Sequence, residues 1–469
     1  MFGLTADDFI YATLLIISVF CGTFIKQTKD ARHKQLLSST IGAGMVLVVC
    51  GFHLLHSFIT ALVNALLVLW ISPRYCHIVS FMWCFGYLTF FRTTHYFGLP
   101  KVPSHSNAVQ LLLTLKMVGL AFELHDSYKR QQKAKSAEDC QQDAQRQNLA
   151  LEAEYRNINP SLMDIMLYSY CYIGLLTGPY FKYRTYHDML HNEHTASIPT
   201  WQPLLEKLKV LPVCALLFIV TSMVYPLEYV KTEEFHQRFF LYRLWYMIVT
   251  FFIFRMRIYS AWILSEMVCI TSALGAYPKD SRPKRGQGPT NLGTLKDLET
   301  SADEVEYDFE TIHNISPSGC EMSSTVREGM KSWNMSVQFW LAHFVYSRVP
   351  FRSIRTFLTM LVSAYWHGIH PGYYLSFLLV PFVLMAEDAM IKAFRDNASN
   401  KQQQIFDWFW WFFKLRFLEY MSMGFLLLGL YSTLDYWSSI YFFGHVMTAV
   451  FYVTGLVFMK RKSSGKKME

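Results

Sequence analysis

The sequence predicts an all-α polytopic membrane protein: a transmembrane helical bundle of about eleven crossings, with broken or re-entrant helices around an intramembrane site. Three observations predict it. The 469-residue chain is 52% hydrophobic and 17% aromatic but only 17% charged, against about 25% charged in an average soluble domain. Its apolar residues gather in blocks of roughly 18 to 25, the length that crosses a hydrocarbon core about 30 Å thick. The blocks are continuous, which excludes the short alternating segments of a membrane β-barrel.

In chain order the apolar blocks lie at about 9–25, 40–58, 60–72, 78–98, 108–124, 161–181, 208–226, 238–254, 257–276, 354–367, 371–390, 405–430 and 436–459. Several are too short or too polar to cross alone. The run at 40–72 is either a hairpin or one long bent helix. The blocks around His367 are either one interrupted span or two half-spans. The start, MFGLTADDF, lacks a basic n-region, so no cleavable signal is expected. Lys26, Lys29, Arg32 and Lys34 follow the first block, and the tail 460–469 is basic. The positive-inside rule then predicts a lumenal N-terminus, a cytosolic C-terminus and an odd number of crossings.

Two polar segments interrupt the pattern. Residues 126–160 mix both charge signs and predict a surface segment with one amphipathic helix. Residues 277–329 begin basic and turn acidic, and their first half has the Gly- and Pro-rich composition of a loop. The whole chain is expected to form a single membrane-embedded domain. The net charge of +8 (43 basic, 35 acidic) suits an anionic membrane surface, and no nucleic-acid-binding motif is present. Nine scattered cysteines without a CxxC predict buried free thiols, neither a disulfide framework nor a zinc site.

The chemistry concentrates in AYWHGIHPGYY, residues 364–374. His367 stands in a strongly apolar run, and Gly368, Pro371 and Gly372 interrupt the helix around it. Non-helical backbone at membrane depth is tolerated only against protein or a cavity. A broken helix with a histidine therefore predicts a site, and imidazole suits proton transfer near neutral pH. A histidine that only bonds across helices is the plainer alternative. His370 shares the face of His367 if the helix persists, which would make half a metal site. Gly368 and Pro371 disfavour that pair, so no metal is expected.

Upstream, KSWNMSVQFWL places Lys331, Asn334 and Gln338 at i, i+3 and i+7, a polar stripe on a helix whose remainder includes Trp333, Val337, Trp340 and Leu341. It faces either water at the membrane surface or a tunnel, where Asn334 would offer a donor and an acceptor. Asn314, Asn334 and Asn397 each begin an N-x-S sequon, but their membrane-proximal settings support glycosylation only weakly. His187, His191 and His194 cluster, and His53 pairs with His56, yet the adjacent-histidine boxes of a di-iron oxidase are missing.

These residues carry a resemblance. SAYWHGIHPGYYLSF with KSWNMSVQFWL upstream resembles the membrane-bound O-acyltransferase family, which pairs an intramembrane histidine with an asparagine about thirty residues before it. Asn334 and His367 are 33 positions apart. The similarity continues through residues 107–126, 168–186, 254–266, 307–315 and 420–428. It implies acyl transfer from acyl-CoA to an acceptor hydroxyl in the endoplasmic reticulum membrane, without a cofactor. His367 would be the base, with Asn334 beside it. Within the family the branch acting on the sn-2 hydroxyl of lysophosphatidylinositol is the most similar, which implies a polyunsaturated, arachidonoyl-like acyl chain. Gln338, Trp333, His370 and Tyr373 become candidate substrate-binding residues. Lys182 and Arg184, or Arg255 and Arg257, become candidates for the anionic head group. A family member acting on another lysophospholipid, a sterol or a peptide stays open, as does a transporter or scaffold.

Overall fold

The computed structural model describes residues 6–136, 143–298 and 305–465. Seven of the described helices are long and apolar enough to cross a membrane, fewer than the eleven crossings that the apolar blocks suggest. The differences have plain causes. The first helices are α1 (Ala6–Gln27), α2 (Ala31–Cys50) and α3 (Leu54–Trp70). A 3-10 turn at Gly51–His53 joins α2 to α3, so the run at 40–72 is one helical path with a break. Gly51 makes the break with φ +52°, a conformation that a Cβ disfavours. α4 (Cys76–Arg92) is only 17 residues long.

α5 (Ser104–Ser136) overruns its apolar block by more than three turns, carrying a buried span straight into a polar extension. α6 (Asp143–Tyr155) packs back against it, so the mixed-charge segment is largely helical. Short helices α7 (Leu162–Tyr170) and α8 (Tyr183–His191) lead to α9 (Trp201–Val224), α10 (Glu233–Gln237) and the 32-residue α11 (Phe240–Thr271).

The segment from 277 onwards departs from purely helical structure. β1 (Tyr277–Pro278) pairs antiparallel with β2 (Tyr307–Asp308), and α12 (Leu292–Leu298) lies between them in sequence. α13 (Pro317–Met322), α14 (Val326–Lys331) and α15 (Met335–Trp340) follow, the last running into a π-helical turn at Leu341–Val345. α16 (Arg355–His367) and α17 (Pro371–Met390) pack against one another, so the break between them separates two helices. α18 (Asn400–Leu427), α19 (Leu430–Ser439) and α20 (Phe443–Gly465) complete the bundle. The length of α18 suits a crossing, but Asp407, Lys414, Arg416 and Glu419 lower its hydropathy. α16, at 13 residues, is too short to cross alone. The end of the basic tail, from 466, lies outside the described residues. Eight of the nine cysteines are described, all as free thiols.

Two hydrophobic cores form. One gathers α1 to α5, α7, α8 and the C-terminal half of α11; the other gathers α17 to α20 and residues Tyr246 and Met247 near the start of α11. α11 therefore ties the two together. Buried glutamates on the long helices then dock the short elements. Glu123 of α5 accepts the amides of Tyr183 and Arg184, at 2.8 and 3.2 Å. Glu266 of α11 accepts those of Asn314 and Ile315, at 2.6 and 2.9 Å. Glu387 of α17 accepts those of Val326 and Arg327, at 2.5 and 3.1 Å. Glu123 and Glu387 thereby satisfy orphan donors at the starts of α8 and α14, where a carboxylate also meets the favourable end of the helix dipole, and Glu266 satisfies two amides of the irregular stretch before α13.

α17 and α18 meet through glycine. A Cβ added at Gly372 would lie 2.1 Å from the carbonyl oxygen of Gly424, while the Gly372 amide donates to Leu428 at 2.8 Å. Small residues allow this backbone approach where no water drives helices together. Gly372→Ala is expected to destabilise the purified protein by about 1–3 kcal/mol, the usual range for overpacking. Gly44→Ala meets no atom within 4 Å and should leave the melting temperature nearly unchanged.

Candidate active site

Where the two cores meet, a cavity of about 1280 Å³ opens, lined by α1, α5, α11, α15, α16, α17 and α18. Both His367 and Asn334 line it. They reach it from helix breaks, and each break has its own fastening.

His367 is the last residue of α16, and Gly368 and the next two residues separate it from Pro371 at the start of α17. No described residue hydrogen-bonds its imidazole, and aromatic rings pack around it. Phe377 stacks on it at 5.1 Å and 19°, Phe425 meets it edge-on at 5.1 Å, and Trp366 lies 4.6 Å away. Tyr373 closes the group at 5.9 Å and also lines the cavity. A Cβ on Gly368 would strike the Tyr373 ring at 2.4 Å, so the break must be glycine for Tyr373 to sit there.

Asn334 does not continue a helix. It links α14 to α15 in the left-handed region, φ 45° and ψ 54°. The expected single helix through Lys331, Asn334 and Gln338 is therefore two short helices with a turn at the asparagine. Asparagine tolerates this conformation better than most residues. The three still share a cavity wall. Gln338 folds back and donates through Nε2 to the carbonyls of Met330 and Trp333, the latter at 3.0 Å, and so pins the turn. Trp333 fills the wall beneath, 5.0 Å from Trp262 and 6.3 Å from Phe254. Phe254 in turn lies 5.5 Å from Phe425, so an aromatic path joins the surroundings of Asn334 to those of His367.

A residue outside the expected site holds this turn. Asn314 accepts the Met335 amide on its carbonyl at 2.8 Å. Its side-chain oxygen accepts the amide and hydroxyl of Ser336 at 3.1 and 2.6 Å. Glu266 holds the amide of Asn314 and lies 2.5 Å from the ammonium of Lys207. In sequence Asn314 looks like a sequon; in the fold it is buried. Asn314 stands 22 positions from Ser336 and 48 from Glu266, separations that no local pattern carries.

The basic pairs separate. Arg255 and Arg257 both line the cavity. Arg255 is buried, 2.9 Å from Glu321, and lies over the Phe251 ring. Arg257 is half-exposed and donates to Asp8 at 2.7 Å. Lys182 and Arg184 instead line a second, much smaller cavity with Glu123, Asp126, Arg130 and Arg156. Lys182 donates to the Gln287 carbonyl at 3.2 Å and lies over the Phe339 ring; burial holds its ammonium below the usual lysine range. Arg184 pairs with Asp188 at 2.7 Å. His370 is exposed and outside the lining of the large cavity; its carbonyl starts α17 by accepting the Tyr373 amide at 3.1 Å.

Residues 101–433 match the model of the membrane-bound O-acyltransferase family, and that stretch holds both helix breaks and most of the cavity wall. The chain belongs to this family. Its relatives include the membrane-bound acylglycerophosphatidylinositol O-acyltransferase of Xenopus laevis, 45% identical across 97% of this chain and 94% of that protein. The human protein of the same description is 42% identical across 95% and 92%. That of Drosophila melanogaster is 38% identical across 96% and 93%.

In this O-acyltransferase Asn334 lines the cavity from a turn that other side chains hold. Asn334→Ala should lower turnover while the protein still inserts and purifies, measured as acyl transfer per folded enzyme. Asn334→Asp should not restore it, because an ionised carboxylate has no donor. Normal kinetics in both variants would make Asn334 only a turn residue.

Proposed function

We propose that this O-acyltransferase moves a fatty acyl group from acyl-CoA to the sn-2 hydroxyl of lysophosphatidylinositol, with His367 as general base at the large cavity. The observation that carries the reading is that His367 and Asn334 line one cavity. The names of the near-full-length relatives support the acceptor. Its volume exceeds the roughly 300–1,000 Å³ of ordinary small-molecule pockets, as two long-chain substrates require.

The chemistry follows from the residues. A lysolipid hydroxyl is a weak nucleophile near neutral pH and needs a base as it attacks. His367 takes the hydroxyl proton while the oxygen adds to the thioester carbonyl. The carbonyl oxygen becomes an oxyanion, which a nearby donor stabilises, and Asn334 on the same cavity wall has an amide that could serve there or orient the acceptor. The C–S bond then breaks, the coenzyme A thiolate leaves, and the proton on His367 passes to it. One ester forms, one thioester is lost, and the histidine returns to its starting state. The aromatic rings around His367 hold the imidazole.

The acceptor head group carries a phosphodiester and a ring of hydroxyls. Arg257 is the stronger candidate to meet it, because it lines the cavity and is half-exposed; Arg255 is buried against Glu321. Lys182 and Arg184 line the other cavity. A polyunsaturated, arachidonoyl-like donor, residence in the endoplasmic reticulum, a lumenal N-terminus, a cytosolic C-terminus and an odd number of crossings complete the reading. The charge pattern of the sequence and the family resemblance support them.

His367→Ala in purified protein should lower acyl transfer by about 10²–10⁴-fold, the range of general acid–base catalysis, while His370→Ala should be mild. Wild-type activity in His367→Ala would remove His367 from the mechanism. Arg257→Gln should raise KM for lysophosphatidylinositol more than for acyl-CoA. If the wild-type enzyme acylates lysophosphatidylcholine as readily as the inositol lipid, the assignment of the acceptor fails and acyl transfer itself survives.

A further inference from the structure

α16 ends inside the bundle, so its last carbonyls need donors that the helix cannot supply. Arg92, the final residue of α4, supplies them. Its Nη1 donates to the carbonyl of Tyr365 at 2.9 Å. Its Nη2 donates to those of Trp366 and His367 at 2.6 and 3.0 Å. Its Nε donates to the side-chain oxygen of Asn107 at 3.0 Å, which fixes the plane of the guanidinium. Three consecutive carbonyls, ending on that of His367, thus meet one rigid fork. A cation at a helix C-terminus also faces the negative end of the helix dipole.

The same turn is fastened on its other sides. Trp366 Nε1 donates to the Leu111 carbonyl of α5 at 3.1 Å. The Tyr365 hydroxyl bonds the Thr89 hydroxyl and donates to the Phe85 carbonyl of α4 at 3.2 Å. The imidazole of His367 has no hydrogen bond of its own to a described residue. Its position is therefore inherited from the backbone that carries it and from the rings around it. Arg92 is not among the residues lining the large cavity. Its hydrogen bonds go to the carbonyls of that turn and to Asn107, and none goes to the imidazole.

We propose that Arg92 is a positioning residue for acyl transfer, holding the end of α16 so that the His367 imidazole meets the acceptor hydroxyl. The inference rests on His367 being the base. Lysine at this position keeps the charge but loses the planar fork, since an ammonium is a compact point donor. A base displaced by about 1 Å loses up to about 10²-fold in rate. The loss falls on turnover and spares binding.

The experiment measures kcat and both KM values for Arg92→Lys, Arg92→Ala and His367→Ala, in full-length purified protein, per folded enzyme. Both Arg92 variants should lower kcat by about 10-fold or more, with each KM within about threefold of wild type. In the His367→Ala background, Arg92→Lys should cause little further loss, because the two residues act as one unit. If Arg92→Ala does not fold, Arg92→Lys decides. Wild-type kcat in Arg92→Lys, with His367→Ala inactive, overturns the role of Arg92 and leaves that of His367 standing. Unchanged kcat with a raised KM also overturns it, making Arg92 a substrate-binding residue. An active His367→Ala enzyme overturns the reading on which the inference rests.

Discussion

A backbone amide or carbonyl released inside an apolar bundle finds no water, so every departure from regular helix must bring its own partner. The candidate site consists of two such departures. The turn at Asn334 is held by Asn314, which Glu266 holds in turn. The break at Gly368 is held by Arg92 on one side and by the Gly372 amide bonding Leu428 on the other. Neither catalytic candidate satisfies the backbone around it with its own side chain. Both side chains remain available to substrates because other residues supply the hydrogen bonds.

The buried charges follow the same rule. Glu123, Glu266 and Glu387 each take a pair of neighbouring amides, so their carboxylates are solvated by backbone. Lys414 donates to the carbonyls of Cys320 and Glu321 at 2.7 and 3.1 Å. Lys116 lies 4.7 and 5.0 Å from the centres of the Tyr168 and Phe181 rings, where cation–π attraction stands in for a carboxylate. These groups fasten short elements to long helices, and the short elements carry the site. An ionisable residue in an apolar run is therefore not by itself a catalytic signal here.

That explains what the sequence could and could not convey. The helical membrane class was legible because span length is set by bilayer thickness and needs no tertiary information. The helix break at His367 was legible because glycine and proline beside a histidine break a helix wherever it packs. The crossing count was harder: α4 and α16 are short, and α18 mixes charges into an apolar run, so length and hydropathy disagree about them. The stripe of Lys331, Asn334 and Gln338 pointed to the right wall by the wrong geometry, since periodicity does not register a single left-handed residue. The pairs Lys182/Arg184 and Arg255/Arg257 look alike in sequence; only packing sends them to different cavities. The roles of Arg92, Asn314 and Glu266 were not legible, although Asn314 and Glu266 fall in stretches that carry the family resemblance. Each gains its role from a partner that the fold brings from far along the chain.

The central claim is that one cavity brings an acceptor hydroxyl and a thioester carbonyl to His367 and Asn334. The most direct test is an experimental structure of the protein with lysophosphatidylinositol and a thioether analogue of acyl-CoA, which cannot transfer its chain. The account predicts the sn-2 hydroxyl within about 2.6–3.2 Å of a His367 ring nitrogen, the reach expected of a general base. It also predicts the bond-forming end of the analogue beside Asn334. Reacting ends bound at His370, or in the small cavity of Lys182 and Arg184, would contradict it.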